Sequence, residues 1–263
     1  QNKLKYDFEN QNLKKAINLM LSSPEKNITM EFQGGEALLA FDKIKFAISY
    51  VQKKNKLIKK NISFVICTNL APINEEILQF CKKENILISS SLDGPKEIHN
   101  QNRKKKDRNS YELANRGIQL SKEILGDDRI SSLMTTTKLS LKYPIKIIDE
   151  YRKQGFNSIF LRPISPYGFA KFNKNSDYLT DDFLKFYAKG LDYIINLNLK
   201  GEFFREIYTS IILKKIFTSF SENYVDLMSP SGLINSVIVY DYNGDVFVSD
   251  EARMLAQMND FTF

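Results

Sequence analysis

The chain has 263 residues, 43% of them apolar and 26% charged, and carries 38 Lys and Arg against 31 Asp and Glu for a net charge of +7. This balance excludes a disordered or fibrous chain and allows one large domain or two small ones. Two cysteines, Cys67 and Cys81, cannot staple so long a chain, no apolar run approaches the ~20 residues of a bilayer span, and no basic-then-apolar start marks a signal peptide.

Leu13 to Leu21 has helical spacing. Asn27 to Gln33 alternates as a strand and stops at Gly34-Gly35, and Phe41 to Lys54 then places Ile44, Ala47, Ile48 and Val51 on one helical face. Asn61 to Cys67 is a second strand, followed by a helix from Asn74, a plausible N-cap, to Glu84. Asn85 to Ser91 is a third strand closed by Asp93-Gly94-Pro95. Tyr111 to Leu125 is helical, Ile130 to Thr136 a fourth strand, Tyr143 to Gln154 a helix with Pro144 in its first turn, and Asn157 to Arg162 a fifth strand. Two long helices, Leu179 to Leu199 and Phe203 to Phe220, come next. Ser236 to Tyr242 and Asp245 to Ser249 flank Asn243-Gly244, a hairpin signal whose two turn positions are both expected at positive φ.

Alternating strands and helices in units of about 25 to 45 residues predict an α/β fold with a parallel sheet and right-handed crossovers. The opening helix implies a strand before Gln1. Six strands would make a partial (β/α)6 barrel; a flat doubly wound sheet is the alternative, which periodicity does not separate from it. The expected division is residues 1–220 for the barrel with its trailing helices and 221–263 for the start of a small hairpin module.

In parallel β/α architectures ligands gather at the carboxyl ends of strands. Those ends carry Gln33-Gly34-Gly35-Glu36, then Thr68-Asn69, then Ser89-Ser90-Ser91-Leu92-Asp93-Gly94, then Leu161-Arg162. Two glycines leave backbone bare for a ligand, and a following Glu can receive an ammonium through a charge-assisted hydrogen bond. The tetrapeptide alone reads more readily as a tight turn with a helix-start acid. The basic run Arg103 to Arg108 holds no aromatic residue and reads as a solvated loop, not a nucleic-acid surface. Neither cysteine has a neighbour at metal-ligand spacing, and both read as core thiols.

GlyGlyGlu, ThrAsn and SerLeuAspGlyPro, with His99 and Arg103 behind them, resemble the radical S-adenosylmethionine (SAM) enzymes over roughly residues 10 to 165. SerLeuAspGlyPro-x-x-x-HisAsn is similar to the branch of sulfatase maturases and peptide-modifying enzymes with a SPASM-type C-terminal module, and Val239 to Leu255 looks closest to the His-Xaa-Ser system maturase. The resemblance implies that Gln33, Gly34, Gly35 and Glu36 hold the SAM methionine amino group, with Thr68 and Asn69 at the adjacent strand end. It implies Ser91 at the ribose, Asp93 in the same turn, Arg103 near the SAM carboxylate and Leu161 at the adenine. Asp250 matches a general base. A ribosomally made peptide or protein is the implied substrate, with an electron donor as second partner, no nucleic-acid or membrane partner, and a cytoplasmic setting.

Such enzymes carry a [4Fe-4S] cluster on a CysxxxCysxxCys loop, which this sequence lacks. The loop is expected upstream of Gln1, so the chain is read as a fragment without turnover of its own. Ser231 and Ser249 stand where SPASM relatives have cluster-binding cysteines. Two other readings are a barrel that binds SAM or a peptide without turnover, and an unrelated β/α-barrel enzyme acting on an anionic metabolite.

Overall fold

A computed structural model describes residues 7–107, 109–164, 178–220 and 236–259. In chain order the elements are α1 (Asn10–Ser22), β1 (Asn27–Phe32), α2 (Phe41–Ile58), β2 (Asn61–Cys67), α3 (Glu75–Lys83), β3 (Ile86–Ser91), α4 (Lys96–Asn102), α5 (Ser110–Leu125), β4 (Ile130–Leu133), α6 (Pro144–Lys153) and β5 (Ser158–Ile159). After them come α7 (Thr180–Leu199), β6 (Arg205–Glu206), α8 (Ile207–Phe217), β7 (Val239–Tyr240), β8 (Val246–Phe247) and α9 (Asp250–Gln257). The strand order of the main sheet is β1-β2-β3-β4, and β5 and β6 form a separate parallel pair.

The chain divides into two compact units. The first comprises Gln1–Thr68, Asn85–Leu87 and Asn223–Phe263, and the second Asn69–Glu84 and Ile88–Glu222. The units thus interleave in sequence.

In the first unit, β1 and β2 pair in parallel from Asn27↔Asn61 to Phe32↔Ile66. The periodicity of α1 and α2 buries Leu13, Ile17 and Leu21 on one helix and Ile44, Ala47, Ile48 and Val51 on the other. The hairpin forms as expected, but not with a two-residue turn. Gly244 N–H donates to Asp241 O at 3.0 Å and Asp241 N–H to Asp245 O at 2.9 Å, enclosing Tyr242, Asn243 and Gly244 in a three-residue loop. Gly244 takes the left-handed conformation at φ +95°, whereas Asn243 is absent from the positive-φ residues.

In the second unit, β3 and β4 pair in parallel from Ile88↔Ile130 to Ser91↔Leu133. Asn74 caps α3 as expected, its side chain accepting from Ile77 N–H at 2.9 Å. The fourth strand ends at Leu133 instead of Thr136. Beyond it the Thr136 hydroxyl donates to Arg162 O at 2.6 Å, tying the exits of β4 and β5 together without a backbone ladder.

The sixth strand is one the sequence did not announce. Arg205–Glu206 pairs with β5, and two residues carry no periodic signal. The helix expected from Phe203 therefore starts only at Ile207, where the Glu206 side chain caps it by accepting from Thr209 N–H. Ser231 lies outside the described residues.

Candidate functional site

In the first unit, β1 ends at Phe32, and Gln33, Gly34 and Gly35 follow, all exposed. A Cβ built on either glycine would meet nothing within 4 Å, so the backbone here fronts open space. Glu36 then opens a short 3-10 turn, Ala37–Ala40. Its Oε1 accepts from Leu38 N–H at 3.0 Å and from the Thr68 hydroxyl at 2.6 Å. Thr68 is buried immediately after β2, so adjacent strand ends fix the carboxylate's direction. The structure thus brings together Gly34, Gly35, Glu36 and Thr68.

Gln33 turns back along β1, its amide donating to Glu31 Oε1 at 2.5 Å, and the same oxygen accepts from Cys67 Sγ at 3.1 Å. Glu31 carries no signal of its own in the sequence, and Cys67, expected as a core thiol, is only half-buried at the end of β2. Strand alternation was the available signal, since Glu31↔Val65 and Phe32↔Ile66 set Cys67 next in register beside Gln33.

Asp250 also lies in this unit, as the first residue of α9. It does not cap that helix. The cap is buried Ser249, whose hydroxyl accepts from Ala252 N–H at 3.2 Å. Asp250 Oδ1 sits 3.6 Å from Arg253 Nη2, and that oxygen is buried without a hydrogen bond.

In the second unit the turn after β3 is closed. Asp93 is 1% exposed. Arg103 donates Nε to its Oδ2 at 2.9 Å and Nη2 to its Oδ1 at 3.1 Å, and Thr135 N–H adds a third bond to Oδ1 at 3.0 Å. Asp93 N–H donates to His99 Nδ1 at 3.2 Å, which places the neutral ring's proton on Nε2. Burial pushes the imidazole pKa down to about 4, outweighing the opposing pull of Asp93. Leu92 O accepts from the Tyr151 hydroxyl at 2.7 Å. Gly94 sits at φ +125° with room for no side chain, since a Cβ would lie 2.8 Å from Ile147 Cγ1.

Asp93 and Arg103 therefore spend their strongest hydrogen bonds on each other. Ser91 is half-buried at the end of β3, while the neighbouring Ser90 faces Ser132 at 2.6 Å between hydroxyls. Asn69 makes a local turn, accepting from Ala71 N–H at 2.8 Å. Leu161 is fully buried, with its N–H donated to Glu206 Oε1 at 3.1 Å and its side chain under Gly190 of α7. Thr135 was missed in the sequence, although its position just past β4 follows the same strand-end logic as Thr68.

No family model matches the chain. It is 32% identical over 154 residues, 57% of its own length, to a cysteine-type anaerobic sulfatase-maturating enzyme of Clostridium novyi. Over 87 residues, 33% of this chain and 18% of the relative, it is 28% identical to the radical SAM cyclopropyl synthase TigE of Paramaledivibacter caminithermalis. Among solved structures, native anSMEcpe with bound AdoMet and Kp18Cys peptide shares the fold at a TM-score of 0.76 and 22% identity, over 92% of this chain and 66% of that one. The chain is thus similar in sequence and fold to radical SAM maturases. It spans 40% to 63% of the length of the clostridial sulfatase-maturating enzymes it matches.

The residues of the turn after β1 fit the amino-acid end of SAM: bare glycine backbone beside an anchored carboxylate suits an α-ammonium group. They do not fit the iron–sulfur cluster. Three thiolates are needed, and the sequence holds only Cys67 and Cys81. Cys81 is fully buried, and burial pushes its thiol up to about 12, the reverse of a ligating thiolate. Among the described residues no three His, Cys, Asp or Glu side chains gather as a metal site.

Proposed function

We propose that this chain is the SAM-binding β/α part of a radical SAM peptide or protein maturase. The observation that carries the reading is the turn after β1, where Gly34 and Gly35 front open space and Glu36 is aimed by Leu38 and Thr68. Glu36 accepts from the SAM ammonium, and the glycine backbone lets the methionine moiety approach without a steric barrier. Gln33 and Thr68 supply the adjacent polar groups of this turn. In the second unit Arg103 fixes the turn after β3 through Asp93.

In the complete enzyme the cofactors would supply the radical chemistry. This chain's residues contribute binding, orientation and exclusion of water. Asp250, with an oxygen buried and unbonded, is the group for taking a proton from the substrate. A ribosomally made peptide or protein is the substrate, as the peptide bound in the similar solved structure suggests. A separate electron donor is the second partner, and the setting is cytoplasmic. No described helix is long and apolar enough to cross a membrane.

Calorimetric titration of the complete protein with SAM tests the reading. Glu36→Ala is expected to weaken binding by about 1–3 kcal/mol, the range for losing a charged hydrogen-bond partner. An unchanged affinity rejects the assigned pocket. A second reading is SAM binding without turnover. It predicts SAM binding with no release of 5′-deoxyadenosine from the anaerobically reconstituted complete protein.

A further inference from the structure

The positive charge of the chain is concentrated in the first unit. Helices α1 and α2, of 13 and 18 residues, carry seven lysines, no arginine and one acid, Asp42. Their net charge is therefore +6, against +7 for all 263 residues. Asp42 pairs with Lys45 at 2.8 Å, and among the described residues none of the other six lysines meets an acid in a salt bridge. The apolar stripes of both helices are buried, and Lys14, Lys15, Lys53, Lys54 and Lys56 are exposed.

The packing of the two helices gathers ammonium groups instead of spreading them. Lys14 of α1 and Lys54 of α2 both stand over the Tyr50 ring, 5.9 and 5.6 Å from its centroid. Tyr50 stacks on Phe46 with ring centroids 6.2 Å apart, and its hydroxyl donates to Asn18 Oδ1 at 3.2 Å. Lys43 reaches from α2 to Asn10 Oδ1 of α1 at 2.9 Å. Cation–π and amide contacts thus hold the seam, and no acid offsets the repulsion among its cations. A patch of like charge held this way attracts a partner of opposite sign and steers its approach.

The other side of α1 adds an apolar notch. Together with the β7–β8 hairpin it bounds a shallow cleft of about 100 Å³, lined by Asn12, Lys15, Leu19, Tyr240 and Val246. Leu19 and Val246 are 53% and 52% exposed, so a side chain entering here would cover apolar surface now in water. An apolar notch beside lysines suits a polypeptide. Nucleic acid would call for arginine forks on phosphate and open rings for its bases, but both helices lack arginine and the Phe46 and Tyr50 rings already carry ammonium groups.

We propose that the α1–α2 surface, with the adjoining cleft, is a docking site for an acidic polypeptide that carries an apolar residue among its carboxylates. Fluorescence anisotropy of labelled probes on the complete protein tests it. The probes are an all-glutamate peptide, the same peptide with one central leucine, and an oligothymidylate of equal length. Both peptides bind, the leucine-bearing one more tightly. Lys14→Glu with Lys15→Glu is expected to weaken both roughly tenfold or more, and the milder Lys14→Gln with Lys54→Gln to weaken them in the same direction. Lys104→Glu with Lys106→Glu, in the loop after α4, makes the same change in net charge and is expected to cost less than about twofold. Leu19→Ser removes the preference for leucine and leaves the all-glutamate affinity in place. SAM affinity, which reads the turn after β1, is unchanged in every variant and reports that each has folded.

Equal losses from the helix pair and the loop pair overturn the inference, because net charge alone then explains binding. So does oligothymidylate binding more tightly than either peptide through Lys14 and Lys15, or no preference for leucine in the parent protein. Failure of the parent to bind either peptide rejects the site and leaves the SAM reading in place.

Discussion

The glycine turns after β1 and β3 have similar sequences and opposite characters. Gln33-Gly34-Gly35-Glu36 is open: nothing stands before its glycines, and its acid is half-exposed. Leu92-Asp93-Gly94-Pro95 is shut: its acid is buried and satisfied by three donors, and its glycine presses on Ile147. An acid beside a glycine at a strand end is thus two devices. Where the acid is half-exposed and the glycines beside it front open space, the turn stays open. Where an arginine fork and a neighbouring strand-end N–H consume a buried acid, it serves the fold.

This contrast breaks most sharply at Asp93. Asp93→Ala leaves Arg103 unpaired and Thr135 N–H without its acceptor, and a broken buried pair costs about 3–5 kcal/mol. Arg103 is partly solvated, at 32% side-chain exposure, which brings the expected loss of unfolding free energy to the lower end, ~3 kcal/mol. Urea denaturation measures it; a loss below ~1 kcal/mol removes the closed turn from the account.

His99, sealed in the same turn, predicts a pH dependence of similar size. The unfolded imidazole takes up a proton near pH 6.5, but the folded one only near 4. Between those values the unfolded state binds more protons, so stability falls as pH drops from 6.5 and the loss is complete below 4, on the order of 3 kcal/mol. His99→Asn should flatten this slope in denaturation curves taken at pH 7.5, 6 and 5. An equally steep slope in the variant assigns the effect to other groups.

A methyl group added to each turn gives the most direct comparison. Gly94→Ala is expected to destabilise by about 1–3 kcal/mol through overpacking and a strained φ. Gly35→Ala should change stability by less than ~0.5 kcal/mol yet weaken SAM binding, because its cost appears only when a ligand occupies the space. Thermal melts beside SAM titrations separate the two, and the same ranking at both glycines would erase the distinction. The smallest effect belongs to Ser249→Ala, about 1 kcal/mol for a lost N-cap, read as a drop in melting temperature. No drop would mean the hydroxyl does not hold the first turn of α9.

Elements with a long periodic signal were legible in the sequence. The stripes Ile44-Ala47-Ile48-Val51 and Leu13-Ile17-Leu21 are buried in α2 and α1, and β2 spans Asn61–Cys67 as read. Asn74 caps α3 because a short polar side chain before an apolar helix has few other uses. What escaped was short or non-local. The strand Arg205–Glu206 is defined by its partner, Ser158–Ile159, some 47 residues away, and α4 is a seven-residue helix without a strong apolar stripe. The helix that opens at Asp250 is capped by Ser249, whose place is set by backbone angles that spacing does not encode.

The residue types at the strand ends, and hence the kind of ligand to look for, were written in the sequence, because the alternation of strand and helix fixes which residues fall at which end of a parallel sheet. Which of those residues face a ligand was decided in three dimensions. Glu36 is aimed by Thr68, 32 residues away, Asp93 is consumed by Arg103 and Thr135, and Leu161 is drawn under Gly190 while Phe160 stacks on Tyr208. Orientation depends on partners distant in the chain, and composition and spacing along one strand do not encode which partner arrives.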